Sequence, residues 1–128
     1  MFSHVMIGAD DLEAAKIFYD AALGALGVRP ARVDPRGRPF YVHDGNILML
    51  TKPINGQPTS GANGGTLGFA AATTELADAF HKAGLEAGGT AIEDPPGWRA
   101  ASGNTLYLSY LADPSGNKIC AMHRKIEG

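Results

Sequence analysis

Residues 11–27, DLEAAKIFYDAALGALG, and residues 73–89, TTELADAFHKAGLEAGG, lie 62 positions apart and carry the same residue at seven of seventeen places. The shared residues are Glu13/Glu75, Ala15/Ala77, Phe18/Phe80, Ala21/Ala83, Leu23/Leu85, Ala25/Ala87 and Gly27/Gly89. Chance alone would supply about one or two matches, and a common amphipathic pattern a few more, so the excess points to an internal duplication. Within the first copy, Leu12, Ala15, Phe18, Tyr19, Ala22 and Leu23 recur at helical spacing, with Asp10 before them as an expected N-cap. A second echo follows at an offset of 71, where Gly45-Asn46 and Gly116-Asn117 each open an apolar run. The second half therefore holds about nine extra residues, and a loop over Pro95–Asn104 is the expected place for them.

Working outward from the two helices, strands are expected at Phe2–Gly8, Arg29–Val33, Phe40–His43 and Ile47–Leu50 in the first half. The turns between them are Asp34-Pro35-Arg36-Gly37 and Asp44-Gly45. In the second half strands are expected at Thr66–Ala71, Thr90–Ile92, Leu106–Leu111 and Lys118–Met122, with a turn at Asp113-Pro114-Ser115-Gly116. The order βαβββ thus occurs twice, as module one (about residues 1–52) and module two (about 65–128), joined by a Gly/Pro/Ser/Asn-rich linker over about 53–64. The fold class is α+β. Two βαβββ modules form a curved mixed sheet around a cup-shaped cavity, with the helices on its outer face.

With 128 residues the chain suits a single domain, residues 1–128, whose folded surface should be roughly 6,500 Å². Apolar residues make up 45% and charged ones 19%, which excludes a disordered chain. A formal charge of −2 argues against nucleic acid, and no apolar run reaches the length of a membrane span. One cysteine excludes an internal disulfide. With no signal-like N-terminus, a cytoplasmic location is expected.

Side chains alternate along a strand, so parity sorts them by face. Val5, Ile7, Leu48, Leu50, Leu67, Phe69 and Ile119 form an apolar set suited to packing under the helices. The opposite set is mixed: His4, Met6, Ile47, Met49, Thr51, Thr66, Gly68, Lys118, Cys120 and Met122. Such a free face can wall a small-molecule cup.

The opening SHVMIGADDLEAAKIFYDAALGALG, the internal GTLGFAAATTELADAFHKAGLEAGG and the closing YLADPSGNKICAM together resemble the vicinal-oxygen-chelate superfamily of glyoxalases, bleomycin-resistance proteins and extradiol dioxygenases. The closing run is similar to that family's D-P-x-G-N-K/x-I-E ending. The resemblance implies a divalent metal held by inward residues on the first and last strands of each module. Carried across, the four positions are His4, Met49, Thr66 and Cys120, where catalytic members have His, a carboxylate, His and Glu. Only His4 matches. A lone imidazole with a thioether, an alcohol and a thiol lacks the donors of a zinc, nickel or iron centre, and no carboxylate remains to act as base. No metal or other cofactor is therefore expected, against the family default.

The expected function is binding or transformation of a small organic molecule in a glyoxalase-like pocket. His4 is the candidate hydrogen-bond partner or general base, with Met49, Thr66, Trp98, Arg99, Tyr107 and Cys120 as substrate-binding residues. Trp98 and Arg99 enter as residues of an overhanging loop that could stack on a ligand and clamp an anion. Alternative readings are a metal-dependent lactoylglutathione lyase-type or dioxygenase-type enzyme with relocated ligands, and a drug-sequestering binder. A homodimer is expected by resemblance and because open sheet edges need cover.

Overall fold

The computed structural model describes residues 1–101 and 104–125. Module one runs β1 (Val5–Gly8), α1 (Leu12–Gly24), β2 (Arg32–Val33), β3 (Pro39–His43) and β4 (Asn46–Thr51). Module two runs β5 (Leu67–Ala70), α2 (Thr74–Glu86), β6 (Thr90–Ala91), β7 (Gly97–Ala101), β8 (Asn104–Ala112) and β9 (Lys118–Arg124). The strands form two sheets, ordered β1-β4-β3-β2 and β5-β9-β8-β6, with β7 pairing β8 beyond the end of β6. Each sheet is mixed: β1 is parallel to β4 and β5 to β9, while the other pairs are antiparallel.

The duplicated helices behave alike at their starts. Asp11 Oδ1 accepts from the Ala14 N–H, and Thr73 Oγ1 accepts from the Leu76 N–H, so each helix has a side-chain cap. The expected cap Asp10 instead ties down the linker, its carboxylate accepting from the Thr59 N–H and hydroxyl. Ala15, Phe18, Tyr19, Ala22 and Leu23 bury one face of α1, and Ala77, Phe80 and Gly84 one face of α2. Under them lie Leu48, Leu50, Leu111, Ile119 and Ala121, in line with the strand parity.

The modules meet helix to helix. A Cβ on Gly84 would stand 2.4 Å from Leu111 Cδ1 and 3.2 Å from the Phe18 ring, so the bare glycine leaves room for Phe18 of the other module. Behind this seam, the buried Tyr19 hydroxyl donates to Asp113 Oδ2 at 2.6 Å, and Asn117 Nδ2 donates both to Asp113 and to the Gly8 carbonyl. Asp113 Oδ1 also accepts from the Ser115 and Asn117 N–H groups. The D-P-S-G-N turn is thus a structural clasp on module one. Burial, then the neighbouring Asp113 charge, pushes the Tyr19 hydroxyl well above its ordinary pKa, so it stays a donor.

The fold departs from the sequence expectation at one element. The stretch expected as a loop over Pro95–Asn104 contains β7, a strand forming a hairpin with β8. Pro95, Pro96 and Gly97 hide it, because they read as breakers just where the strand starts.

Candidate functional site

A cavity of about 800 Å³ opens between the β5 edge of module two and the β1 start and α1 end of module one. Val5, Leu23, Leu26, Val28, Leu48 and Phe69 give it an apolar lining. Its polar groups include His4 and Thr66, each just ahead of the first strand of its module, and His43 and Asp44 at the β3–β4 turn. Mostly apolar walls with a few polar anchors are the usual make-up of a small-molecule site. His4 is exposed, its Nδ1 lies 2.8 Å from Ser3 Oγ, and its Nε2 has no hydrogen-bond partner among the described residues. His43 Nε2 lies 3.3 Å from Asp44 Oδ2. In the sequence His43 and Asp44 show only as a hairpin turn; their nearness to His4 depends on the parallel β1–β4 register, which sequence spacing does not set.

Met49 and Cys120 lie elsewhere. Met49 sits on the helix-free face of the first sheet, in one row with Met6 and Phe40. Cys120 sits on the helix-free face of the second, in one row with Gly68 and Tyr110. Burial, only partly opposed by Lys118, pushes the Cys120 thiol above its ordinary pKa, so it is mainly the neutral thiol at pH 7.

Trp98 and Tyr107 take the opposite face from Cys120. The sequence expectation puts both in the pocket, but β8 turns Tyr107, Ser109 and Leu111 toward α2, and β7 places Trp98 opposite Tyr107. The Tyr107 hydroxyl donates to Asp78 of α2, and Trp98 packs edge-on against the rings of Tyr107 and His123. That hydrogen bond is the first cause raising the Tyr107 pKa to about 12. Arg99, one residue on, does face the helix-free side. Its guanidinium lies 5.3 Å from the Tyr110 ring centroid, and Nη2 donates to the Asp94 and Pro95 carbonyls. The clamp is therefore already engaged with backbone.

A divalent metal does not fit the four family positions as they stand. They offer one imidazole, one thioether, one alcohol and one largely protonated thiol, where such a centre needs three or four strong donors. Among the described residues, no group of three or more His, Cys, Asp or Glu side chains could hold a metal ion. Among the same residues no helix is long and apolar enough to cross a membrane.

Known proteins agree with this architecture. A family model described as a glyoxalase-like domain matches residues 4–122. A crystal structure of a glyoxalase/bleomycin resistance protein from Albidiferax ferrireducens T118 is 55% identical, covering 97% of this chain and 99% of that one with a TM-score of 0.93. A glyoxalase-related enzyme from Fulvimarina pelagi is 21% identical with a TM-score of 0.71, over 96% of this chain and 87% of that one. A glyoxalase/bleomycin resistance protein/dioxygenase from Alicyclobacillus acidocaldarius is 22% identical with a TM-score of 0.65, over 96% and 90%. At these lower identities the likeness concerns the fold. No curated protein matches the chain.

Proposed function

Since the chain belongs to the glyoxalase-like domain family, we propose that it binds a small, largely apolar organic molecule in the cavity beside His4, with no divalent metal at the four family positions. The observation that supports this is an imidazole and a hydroxyl, His4 and Thr66, on the wall of a mostly apolar cavity of about 800 Å³. In that setting His4 Nε2 accepts or donates one hydrogen bond, or takes a proton from an acidic ligand group, while Thr66 orients a second polar atom. The apolar wall supplies affinity at about 25 cal/mol per Å² of ligand surface covered.

The partner protein in this reading is a second copy of the chain, in the cytoplasm. Strands β1 and β5 are sheet edges, and the accessible surface of 7651 Å² exceeds the roughly 6,500 Å² of a compact monomer of this mass.

The test is a thermal-shift screen of aromatic acids, thiol conjugates, sugars and glycopeptide drugs, repeated after chelation and on His4→Ala. A ligand at a hundred times its Kd adds about 2.7 kcal/mol of stability. Chelation should leave the shift unchanged and His4→Ala should reduce it. Chelator-sensitive turnover with one tightly bound metal per chain would overturn the metal-free reading.

A further inference from the structure

The linker that joins the modules carries one reactive dipeptide twice. Asn55-Gly56 and Asn63-Gly64 are the two Asn-Gly steps of the chain, and all four residues are exposed. In such a step the backbone nitrogen of the glycine can attack the side-chain carbonyl carbon of the asparagine, because the glycine has no Cβ to crowd the approach. The attack closes an imide ring and expels the side-chain nitrogen as ammonia. Water then opens the imide at one of its two carbonyls. The product is aspartate, or its isomer in which the main chain runs through the side-chain carbon. Water is the one co-reactant that the balance requires.

The structure holds the two steps differently. At the first, Asn55 Oδ1 accepts from the Gln57 N–H at 3.0 Å, and the Gly56 N–H donates to the Pro53 carbonyl at 3.1 Å. Both reacting groups are engaged, and both must be released before carbon and nitrogen can meet. At the second, the Gly65 N–H closes a turn on the Ala62 carbonyl at 2.8 Å, with Asn63 and Gly64 at its two corners. Neither the Asn63 side chain nor the Gly64 N–H has a hydrogen-bond partner among the described residues. Gly64 takes φ +92°, a corner conformation that suits glycine. Just upstream, a Cβ on Gly61 would stand 2.8 Å from the Gly116 carbonyl oxygen, so the linker is seated on the β8–β9 turn. There Asn63 and Lys118 line one hollow of about 380 Å³.

We propose that Asn63 is the site at which the folded chain deamidates spontaneously, ahead of Asn55. The reaction puts a carboxylate on the wall shared with Lys118, where the parent side chain is neutral, and makes the chain one unit more negative than its formal −2. In the isomerised product the main chain is one carbon longer inside the Ala62–Gly65 turn, just ahead of Thr66. The reaction needs no ligand and no metal, so it stands or falls apart from the His4 cavity.

The experiment is incubation of the full chain at mildly alkaline pH, in buffer and in urea that unfolds it, with peptide mapping by mass spectrometry over time. Each event exchanges an NH2 for an OH, which fragment masses assign to one residue. In buffer the Asn63 step should react about tenfold or more faster than the Asn55 step, the effect of the hydrogen bonds that hold Asn55 and Gly56. In urea those bonds are gone, and the two rates should converge. Asn63→Gln should remove the first acidic species that appears on isoelectric focusing of the aged native protein, and Asn63→Asp should run with that species from the start. Asn55 reacting as fast as Asn63 in buffer would overturn the proposal. So would a native Asn63 slowed, relative to urea, as strongly as Asn55, or a first acidic species that survives Asn63→Gln.

Discussion

Across the helix-free side of module one, Met6, Met49 and Phe40 form a row over β1, β4 and β3, and Arg32 lies 5.1 Å from the Phe40 ring centroid. In module two the corresponding row is Gly68, Cys120 and Tyr110, with Arg99 at 5.3 Å from the Tyr110 centroid. The arrangement is the same, an arginine over an aromatic ring at the end of a cross-strand row, but the chemistry differs. Module one presents thioethers and a hydrocarbon ring. Module two presents a gap, a thiol and a phenol. The arginines even come from different elements, Arg32 from β2 and Arg99 from β7, the strand that has no counterpart in module one. Packing under the helices is shared between the copies, and the faces away from them have been free to diverge.

The buried phenylalanines test the claim that the cores are equivalent. Phe18 and Phe80 are repeat partners, both fully buried. Replacing either with Ala should cost about 3–5 kcal/mol in urea denaturation. Phe18→Ala should be the costlier, because its ring also fills the space left over Gly84 and Gly89 in the other module. Equal losses would mean that the helix seam adds nothing beyond each module's own core.

A smaller difference is expected on the open faces. Arg99→Met removes two hydrogen bonds to the Asp94 and Pro95 carbonyls together with the ring contact, and should cost about 1–3 kcal/mol. Arg32→Met removes the ring contact on an exposed residue and should cost less than about 1 kcal/mol. Thermal melts of the two variants would decide whether the insertion has made its arginine structural.

The smallest effect concerns acid. Asp20 of module one accepts from the Ala31 N–H, the Tyr41 hydroxyl and Lys16, whereas its repeat partner in module two is Lys82. Desolvation raises its pKa, but the Ala31, Lys16 and Tyr41 hydrogen bonds together outweigh that, and the net pKa is lowered. A carboxyl depressed in the folded chain stabilises it above the unfolded value of about 3.9, and that stabilisation is lost as pH falls through the lower folded value. Hydrogen exchange below pH 4 should therefore show the α1–β3 region of module one loosening ahead of α2. Asp20→Asn should flatten that pH dependence at a cost of about 1 kcal/mol at pH 7.

Much of the fold is legible in the sequence because it rests on local periodicity. Phe18, Phe80 and their helical neighbours announce two amphipathic helices, and Val5, Leu48, Leu67 and Ile119 announce which strand face they cover. The site is less legible, because it depends on pairing between distant strands. Trp98 reads as a loop residue over a pocket, and the Pro95-Pro96 start of the hairpin conceals that pairing with Tyr107 turns its ring to the helix side. Likewise His43 joins the cavity beside His4 through tertiary register, although its sequence neighbourhood shows only a tight turn. Lys118 reads as a neighbour of Cys120, but nothing in the spacing reveals that residues 60–65 fold over it.

The fastening of Thr59 to Asp10, and of Gly61 against Gly116, bears on how the protein would answer a protease. A nick at the exposed Asn55-Gly56 step would cut one peptide bond and leave both fragments clasped through Tyr19, Asp113 and Asn117. The cleaved molecule would then migrate as an intact particle until denatured, and its two pieces, made separately, should find each other.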